Sequence, residues 1–191
     1  MKIELWRMTP EPENLIAEAY GICTNKNVPV ENIPKWIKMG HESPLEHCVA
    51  TFLIEGISRS CLAQLTRHRL ASFSVQSMRY VDMFETGQTV PESIRTTGML
   101  DNYALHMADS QDLYELLLNN GVPKEDARMV LPLATHTTLL MTANFRELRH
   151  IIRIRTHSSA QWEIRELANK ILDILVEAAP NVFSDLSQGK E

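Results

Sequence analysis

Residues 67–80 read RHRLASFSVQSMRY and combine side chains that suit the binding of an anion. Three arginines, one histidine and three serines fall within these fourteen residues, and no lysine does. The planar guanidinium of arginine donates two parallel hydrogen bonds to phosphate or carboxylate, which the ammonium of lysine cannot do. The segment therefore predicts a site for a small anion. The alternative is that Arg67 and Arg69 only stabilise the negative end of a preceding helix dipole.

A second group of candidate residues lies in residues 144–155, which read NFRELRHIIRIR. Arg146, Arg149 and Arg153 follow helical spacing and could share one solvated face. That interpretation is the preferred one for Arg149 and Arg153. Arg155 comes at the end of the predicted helix, beside the apolar Ile154, so its side chain can point elsewhere.

The segment HESPLEH at residues 41–47 raises the question of a metal site. His41 and His47 are six residues apart, so they do not share a helix face as the i, i+4 pair of a zinc site does. Ser43, a following proline and Glu46 instead match a capping box. The sequence therefore predicts a helix cap here, and no metal site is expected.

Composition restricts the class of protein and the kind of ligand. The chain has 191 residues, of which 44% are hydrophobic and 23% charged, as is typical of one soluble globular domain. Its net charge of −5, with twelve Arg and seven Lys, argues against general affinity for nucleic acid or an anionic membrane. Seven glycines provide no glycine-rich phosphate loop, so side chains must hold any bound phosphate.

The cysteines and the N-terminal segment predict the compartment. Cys23, Cys48 and Cys61 are odd in number and show no CxxC spacing, which favours reduced thiols in the cytoplasm. We expect buried, inert thiols, with activation of Cys48 by His47 as an open alternative. The first residues, MKIELWRMTP, carry charges where a signal peptide requires an apolar stretch, and no apolar run is long enough to span a membrane.

The elements that must position these residues follow from periodicity and capping signals. Apolar patterns predict strands at residues 1–8, 49–57, 72–81 and 135–143. Helices are predicted at residues 14–22, 32–39, 99–118, from Pro123 to near Pro132, from Asn144 to about Arg155, and at residues 160–179, with a further helix beginning at Ser58 or Ser60 and a cap at Ser158 or Ser159 for the last. The order lacks a regular βαβ rhythm, so we expect an α+β fold. It should be a single, helix-rich domain over residues 1–191, with a mixed, largely antiparallel sheet.

These predicted elements bring candidate residues together. On a strand over residues 72–81, Ser77 and Arg79 would be neighbours on one face, as a phosphate pocket requires. Gln64 would share a helix face with Arg67, where its amide could contact a uracil-like ring.

Taken together, these motifs resemble those of the flavin-dependent thymidylate synthases. RHRLASFSVQSMRY is similar to the family's pattern of RHR, seven residues and S-x-R, and HESPLEH is similar to its HxSPxEH segment. Further C-terminal blocks match in order and spacing: Ala127-Arg128 with Leu131-Pro132, Asn144-x-Arg146, Arg155, and AQWEI at residues 160–164. The resemblance covers roughly residues 40–165. Ser74 and Val75 stand where some members have Asn and Glu.

The resemblance implies a homotetramer with active sites shared between subunits. It would make dTMP from dUMP, with 5,10-methylenetetrahydrofolate as carbon donor and NADPH as reductant of a bound FAD. The residues that match FAD-binding positions are Arg67, His68, Arg69, Asn144, Arg146 and His150, with Ser43 from a different chain and His41 near the flavin and folate rings. Those that match dUMP-binding positions are Gln64, Arg67, Ser77, Arg79, Arg128 and Arg155. Arg155 would favour the anionic form of the uracil ring and is the residue assigned to chemistry.

Two other functions remain open from the sequence. A non-catalytic nucleotide- or flavin-binding module would keep the anion-binding arginines but would not need Arg155 or His41. A nucleic-acid-binding protein would use Arg146, Arg149 and Arg153 as a phosphate-binding stripe, with binding that falls steeply as salt rises.

Overall fold

The computed structural model describes residues 1–84 and 86–187 and confirms an α+β fold. Four strands form one sheet in the order β1-β2-β4-β3. The strands are β1 (Lys2–Met8), β2 (Val49–Ser58), β3 (Ser72–Val75) and β4 (His136–Asn144). The helices are α1 (Pro12–Thr24), α2 (Ile33–Lys38), α3 (Arg59–Leu65), α4 (Glu92–Thr96), α5 (Leu100–Asn119), α6 (Lys124–Ala127), α7 (Phe145–Arg155), α8 (Trp162–Ala178) and α9 (Pro180–Phe183), with short 3-10 turns at Val30–Asn32, Ser43–His47, Arg128–Val130 and Ser184–Leu186.

The strand pairing is antiparallel, as the sequence predicted. Phe145 N donates to the Cys48 carbonyl at 2.9 Å, and the hydroxyls of Thr51 and Thr142 are 2.8 Å apart. Residue numbers thus rise along β2 while they fall along β4, which defines an antiparallel pair. Buried and half-buried residues alternate throughout β4, the period of two expected of a strand.

The contacts divide the chain into two compact units. Unit 1 comprises Met1–Ile54, Gln64–Ser74 and Leu140–Glu191, and unit 2 comprises Glu55–Ala63 and Val75–Leu139. The sequence-based expectation of a single domain over residues 1–191 remains a prediction.

In unit 1, α7 and α8 pack against each other and carry much of the core. Phe145 at the start of α7 meets Phe183 edge to face, with ring centroids 5.1 Å apart. The predicted start of α7 is confirmed, because Asn144 Oδ1 accepts a hydrogen bond from Glu147 N at 2.8 Å. The predicted cap of α8 is wrong: Gln161 Oε1, rather than Ser158 or Ser159, accepts from the first backbone N–H groups.

In unit 2, α5 has the predicted length and ends close to the predicted stop at Gly121. That glycine has φ +82°, a conformation in which any other L-residue is strained. Tyr114 on α5 packs in a small core with Met83 and Ala127, all three fully buried. Pro123 directly precedes α6, as predicted, but the helix predicted to reach Pro132 ends at Ala127 and is followed by the 3-10 turn Arg128–Val130.

Two further local predictions, the long strand after the RHR triplet and the capping box at Ser43, are wrong. The strand predicted over residues 72–81 ends at Val75. Beyond it, Ser77 O accepts from the backbone N–H of Tyr80 and Val81, and Ser77 Oγ accepts from Arg79 N at 3.3 Å. A serine side chain that bonds the backbone nearby favours a turn over a sheet ladder. The capping box predicted at Ser43 is absent, because Ser43 begins a 3-10 turn without a side-chain cap.

Candidate active site

The RHR triplet forms a turn directly after α3. That helix begins where Ser58 Oγ accepts from Cys61 N at 2.9 Å. After its last residue, His68 N donates to the carbonyl of Leu65, and the carbonyl of His68 accepts from Ala71 N. The turn buries the His68 imidazole, which is 7% exposed, and leaves Arg67 and Arg69 exposed.

The guanidiniums of Arg67 and Arg69 can therefore bind a ligand without losing a protein partner. Within residues 1–84 and 86–187, neither side chain forms an ion pair or a hydrogen bond. Two unpaired guanidiniums one residue apart in sequence suit a phosphate group.

Arg155, at the end of α7, points back to this turn. Its Nε donates to His68 Nε2 at 2.9 Å, and its Nη2 donates to the Gln64 carbonyl at 3.1 Å. Arg155 is half-buried, unlike a solvated helical arginine. The structure thus brings together three sequence-predicted site residues, Gln64, His68 and Arg155, within unit 1.

Burial and neighbouring charge set the protonation state of His68. Desolvation, followed by the charges of Arg155 and His150, lowers the pKa of His68 from 6.5 to about 4. Glu147 Oε1 lies 3.5 Å from His68 Nδ1, but the lowered pKa means that the imidazole is neutral at pH 7. The contact is therefore not an ion pair, because the hydrogen bond from Arg155 requires an unprotonated Nε2 and so a ring without net charge.

A cavity of about 410 Å³ lies beside α7 in unit 1. Asn144, Arg146 and His150, all predicted to contact flavin, line it together with Leu70, which follows the RHR triplet. Asn144 Oδ1 accepts the hydrogen bond that caps α7, so the amide N–H groups of Asn144 remain available to a ligand.

Carboxylates in the same cavity partly neutralise its arginines. Arg146 Nη1 lies 2.5 Å from Glu46 Oε1, and Arg146 Nε lies 3.9 Å from Glu42. Arg153 Nη2 lies 3.5 Å from Glu42. Each of these arginine side chains is about half exposed, so the pairs are weak and an anionic ligand can displace them.

His41 and Ser43, the other two residues predicted for the cofactor, are exposed. Two aromatic rings, those of Trp36 and Tyr20, connect His41 to the core of unit 1. The His41 ring lies 5.5 Å from that of Trp36, which stacks on the buried ring of Tyr20 at 5.4 Å. The Tyr20 hydroxyl in turn donates to the His41 carbonyl, so the backbone of this loop is fixed.

In unit 2, the predicted dUMP ligands Arg79 and Arg128 meet at Glu125. Arg79 Nε donates to Glu125 Oε2 at 2.8 Å, and Arg128 Nε donates to the Glu125 carbonyl at 2.9 Å. Ser77 is half-buried in the turn that precedes Arg79. The strand geometry used to place Ser77 beside Arg79 is wrong, but their assignment to dUMP remains a prediction.

Sequence reasoning missed two residues that belong to these clusters. Glu147 is buried beside His68, and desolvation raises its pKa. Its position three residues after the cap of α7 indicated only a capping role. Arg59 donates to the Gln76 carbonyl, and burial followed by the charge of Arg128 lowers its pKa. Its Nε is buried and forms no hydrogen bond among the described atoms. Its place at the start of a helix gave no signal in the sequence.

The solvated face predicted for Arg149 is wrong. The residue is 1% exposed, and its guanidinium donates to both carboxylate oxygens of Asp185 at 2.6 Å and to the Val182 carbonyl. Its spacing from Arg146 and Arg153 carried no sign of this, since Asp185 lies 36 residues further along the chain. Arg153 is about half exposed, in line with the prediction.

The cysteines follow the prediction in two cases of three. Cys48 and Cys61 are buried, and desolvation raises the pKa of Cys48 to about 11, which disfavours its activation at neutral pH. Cys23 is exposed, so the expectation of a buried thiol is wrong there.

Among the residues that the structure describes, no three His, Cys, Asp or Glu side chains are grouped as metal ligands. Within those residues, no helix has both the length and the apolar character that crossing a bilayer requires.

Comparison with known proteins agrees with the motifs. The model of the family described as "Thymidylate synthase complementing protein" matches residues 4–181. The chain is 40% identical over 205 residues to the flavin-dependent thymidylate synthase of Geobacter sulfurreducens, an alignment that covers 99% of this chain and 88% of the relative. It is 35% identical over 212 residues to that of Clostridium tetani, covering 96% of this chain and 85% of the relative.

A third relative shows a shorter match. The flavin-dependent thymidylate synthase of Pyrococcus furiosus is 44% identical over 148 residues, covering 75% of this chain and 61% of the relative. The family match includes the RHR turn, α7 and Arg155. Because the family model matches residues 4–181 and the Geobacter sulfurreducens relative is 40% identical over nearly the whole chain, the chain belongs to the thymidylate synthase complementing protein family.

Proposed function

We propose that this protein is an FAD-dependent thymidylate synthase that makes dTMP from dUMP. 5,10-Methylenetetrahydrofolate would be the carbon donor and NADPH the reductant. Family membership and the names of the relatives support the reaction class. The observation that carries the proposal is the position of Arg155, a half-buried guanidinium held against the RHR turn by two hydrogen bonds.

The side chains of unit 1 fit a flavin dinucleotide. Arg67 and Arg69 offer unpaired guanidiniums for its phosphates, as a chain without a glycine-rich loop requires. Asn144 and His150, which line the cavity beside α7, offer an amide and an imidazole for the polar edges of a ring. When bound, FAD would supply the redox chemistry, so no protein nucleophile is needed.

We assign dUMP binding to Gln64, Arg67, Ser77, Arg79, Arg128 and Arg155. The cationic side chain of Arg155 would stabilise negative charge that develops on the uracil ring, which makes C5 a better nucleophile. Its Nη1 forms no hydrogen bond within the described part of the chain and is the atom we assign to this contact. The Arg79 guanidinium would exchange the exposed Glu125 carboxylate for the phosphate.

We also propose a homotetramer in which Ser43 reaches the FAD of a neighbouring subunit. Exposure of Ser43 and His41 is compatible with a contact to a second chain. Sedimentation equilibrium of the purified protein measures the oligomeric state. A mass four times that of the chain supports this part of the proposal, and a monomer at micromolar concentration contradicts it.

The reaction is tested by omission of one reactant at a time. Purified protein with FAD, NADPH, methylenetetrahydrofolate and dUMP should form dTMP, and omission of the folate or of NADPH should abolish it. Product without added folate would contradict the proposed carbon donor.

The variant Arg155→Ala distinguishes the proposed enzyme from a non-catalytic nucleotide-binding module. Because we assign Arg155 to chemistry as well as to dUMP binding, the variant should lose activity by about 100-fold or more, a much larger factor than its loss of affinity for dUMP. Calorimetric titration with dUMP and steady-state rates of dTMP formation measure the two quantities separately. Full activity in this variant would exclude the role assigned to Arg155.

A further inference from the structure

We propose that Glu147 and His68 are positioning residues that fix the direction of the Arg155 guanidinium. The three side chains form a hydrogen-bonded series, Arg155–His68–Glu147. In it, Arg155 donates to the imidazole, and the imidazole directs its own N–H toward Glu147. The proposal deepens the proposed function and rests on it for the catalytic role of Arg155. The hydrogen-bonded series Arg155–His68–Glu147 is inferred from the geometry alone and does not rest on that function.

Two hydrogen bonds hold the guanidinium in one plane. Its Nε donates to His68 Nε2 at 2.9 Å, and its Nη2 donates to the Gln64 carbonyl at 3.1 Å. A guanidinium is rigid and planar, so two contacts at different edges fix its orientation and therefore the direction of Nη1. A donor fixed in advance does not need to reorganise during a reaction, which is what makes such donors effective.

The bond from Arg155 dictates the tautomer of His68. Nε2 must be unprotonated to accept, so the proton of the neutral ring lies on Nδ1. Glu147 Oε1 lies 3.5 Å from Nδ1, too far for a strong hydrogen bond, but both side chains are only 6% exposed. In such a low-dielectric environment a carboxylate at this distance favours the tautomer with the proton on Nδ1.

Arg155 and His150 oppose a second proton on His68, whereas the negative charge of the Glu147 carboxylate favours one. The His150 ring lies 6.0 Å from that of His68, edge to face, and both His150 and the Arg155 guanidinium disfavour a second proton on His68. Glu147 is the carboxylate that faces the ring. Protonated His68 would present an N–H to the N–H of Arg155. The hydrogen-bonded series Arg155–His68–Glu147 therefore requires a neutral imidazole.

The first test follows the His68 ring itself and needs no catalysis. Nitrogen-15 NMR of the full chain with labelled histidine should show a neutral His68 with its proton on Nδ1, its signal being the one lost in His68→Gln. In Arg155→Gln, the pKa of His68 should rise toward 6.5, because the nearby cation is removed. Protonation on Nε2 at pH 7, or an unchanged pKa in Arg155→Gln, would overturn the proposal.

The second test asks whether the hydrogen-bonded series Arg155–His68–Glu147 matters for the reaction. His68→Leu removes the acceptor and should lower kcat by about 100-fold with a much smaller change in KM for dUMP, as expected when a catalytic group is misplaced. His68→Gln can both accept from Arg155 and donate toward Glu147, so it should retain kcat within about tenfold of wild type. Glu147→Gln should give an intermediate loss.

His136→Leu is the matched control, because it removes a half-buried imidazole that lies 3.2 Å from Thr89 Oγ1 in unit 2. Equal losses of kcat in His68→Gln and His68→Leu would reduce His68 to a packing role and overturn the proposal. If wild-type protein makes no dTMP, the proposed function fails. The NMR result still decides whether the hydrogen-bonded series Arg155–His68–Glu147 exists.

Discussion

The arginines of this protein differ in what each guanidinium contacts, and those contacts separate the arginines that we propose to bind ligand from a structural one. Arg67 and Arg69 are exposed and have no side-chain partner in the part of the chain that the structure describes. Arg155 is held by a histidine and a carbonyl, and Arg149 is buried against Asp185. Arg79 pairs with Glu125 at the surface, with both side chains about half exposed. Such an exposed pair contributes little stability, so Arg79 can change partner when an anion binds.

We therefore expect Arg79→Ala to weaken dUMP binding by about 1–3 kcal/mol, the cost of a lost charged hydrogen-bond partner. Glu125→Gln should leave the affinity equal or higher, because it removes the carboxylate that competes with the phosphate. Arg95→Ala is the control, since Arg95 is exposed and pairs with Glu92 at 3.8 Å. Isothermal titration with dUMP compares the three variants. Equal affinities for Arg79→Ala and Arg95→Ala would refute the phosphate contact.

At the scale of elements, the sequence predicted the helices better than the short strand. Asn144 and Glu147 mark the start of α7, and Gly121 marks the end of α5, because caps act over a few residues. Residues 72–81 alternate like a strand, but β3 ends at Val75, followed by one more backbone bond from Gln76 N to the Thr138 carbonyl. The Ser77 hydroxyl then accepts from the backbone N–H of Arg79 in a turn. The pairs Arg155–His68 and Arg149–Asp185 join residues distant in sequence, so no local pattern predicts them.

The pair of Arg149 and Asp185 joins α7 to the chain segment after α9. Asp185→Ala leaves the Arg149 charge buried without a carboxylate, so we expect it to lower the free energy of unfolding by about 3 kcal/mol. Adding Arg149→Met should recover part of that loss, because a buried charge is replaced by an apolar side chain. Urea unfolding measures both variants, with Glu177→Ala, an exposed site on α8, as control. A further loss of stability in the double variant would contradict this account.

At the scale of the whole molecule, a net charge of −5 coexists with concentrated positive charge in each unit. Unit 1 contains the RHR turn and Arg155, and unit 2 contains Arg59, Arg79 and Arg128. Composition alone predicted that any anion binding must be local, and this remains a prediction. It could not predict that His68 is neutral, because that depends on burial and on the neighbouring Arg155.

Acid stability reports this neutral state. The folded-state pKa of His68, about 4, lies below its ordinary 6.5, so the unfolded chain binds the proton first as pH falls. Stability is therefore lost between pH 6.5 and 4, by about 2 kcal/mol from pH 7 to pH 5. The raised pKa of Glu147 has the opposite sign, since its contribution is lost as pH rises. Urea unfolding at both pH values should show a smaller loss in His68→Gln than in wild type, and equal losses would contradict the buried neutral imidazole.

The most direct test of the central claim is the dependence of dTMP formation on FAD. Protein stripped of flavin should make no dTMP from dUMP, methylenetetrahydrofolate and NADPH, and addition of FAD should restore the rate. Arg67→Ala, which loses a guanidinium assigned to the cofactor, should require more FAD for the same rate. dTMP formation by flavin-free protein, or none at all with flavin and dUMP both bound, would contradict the account.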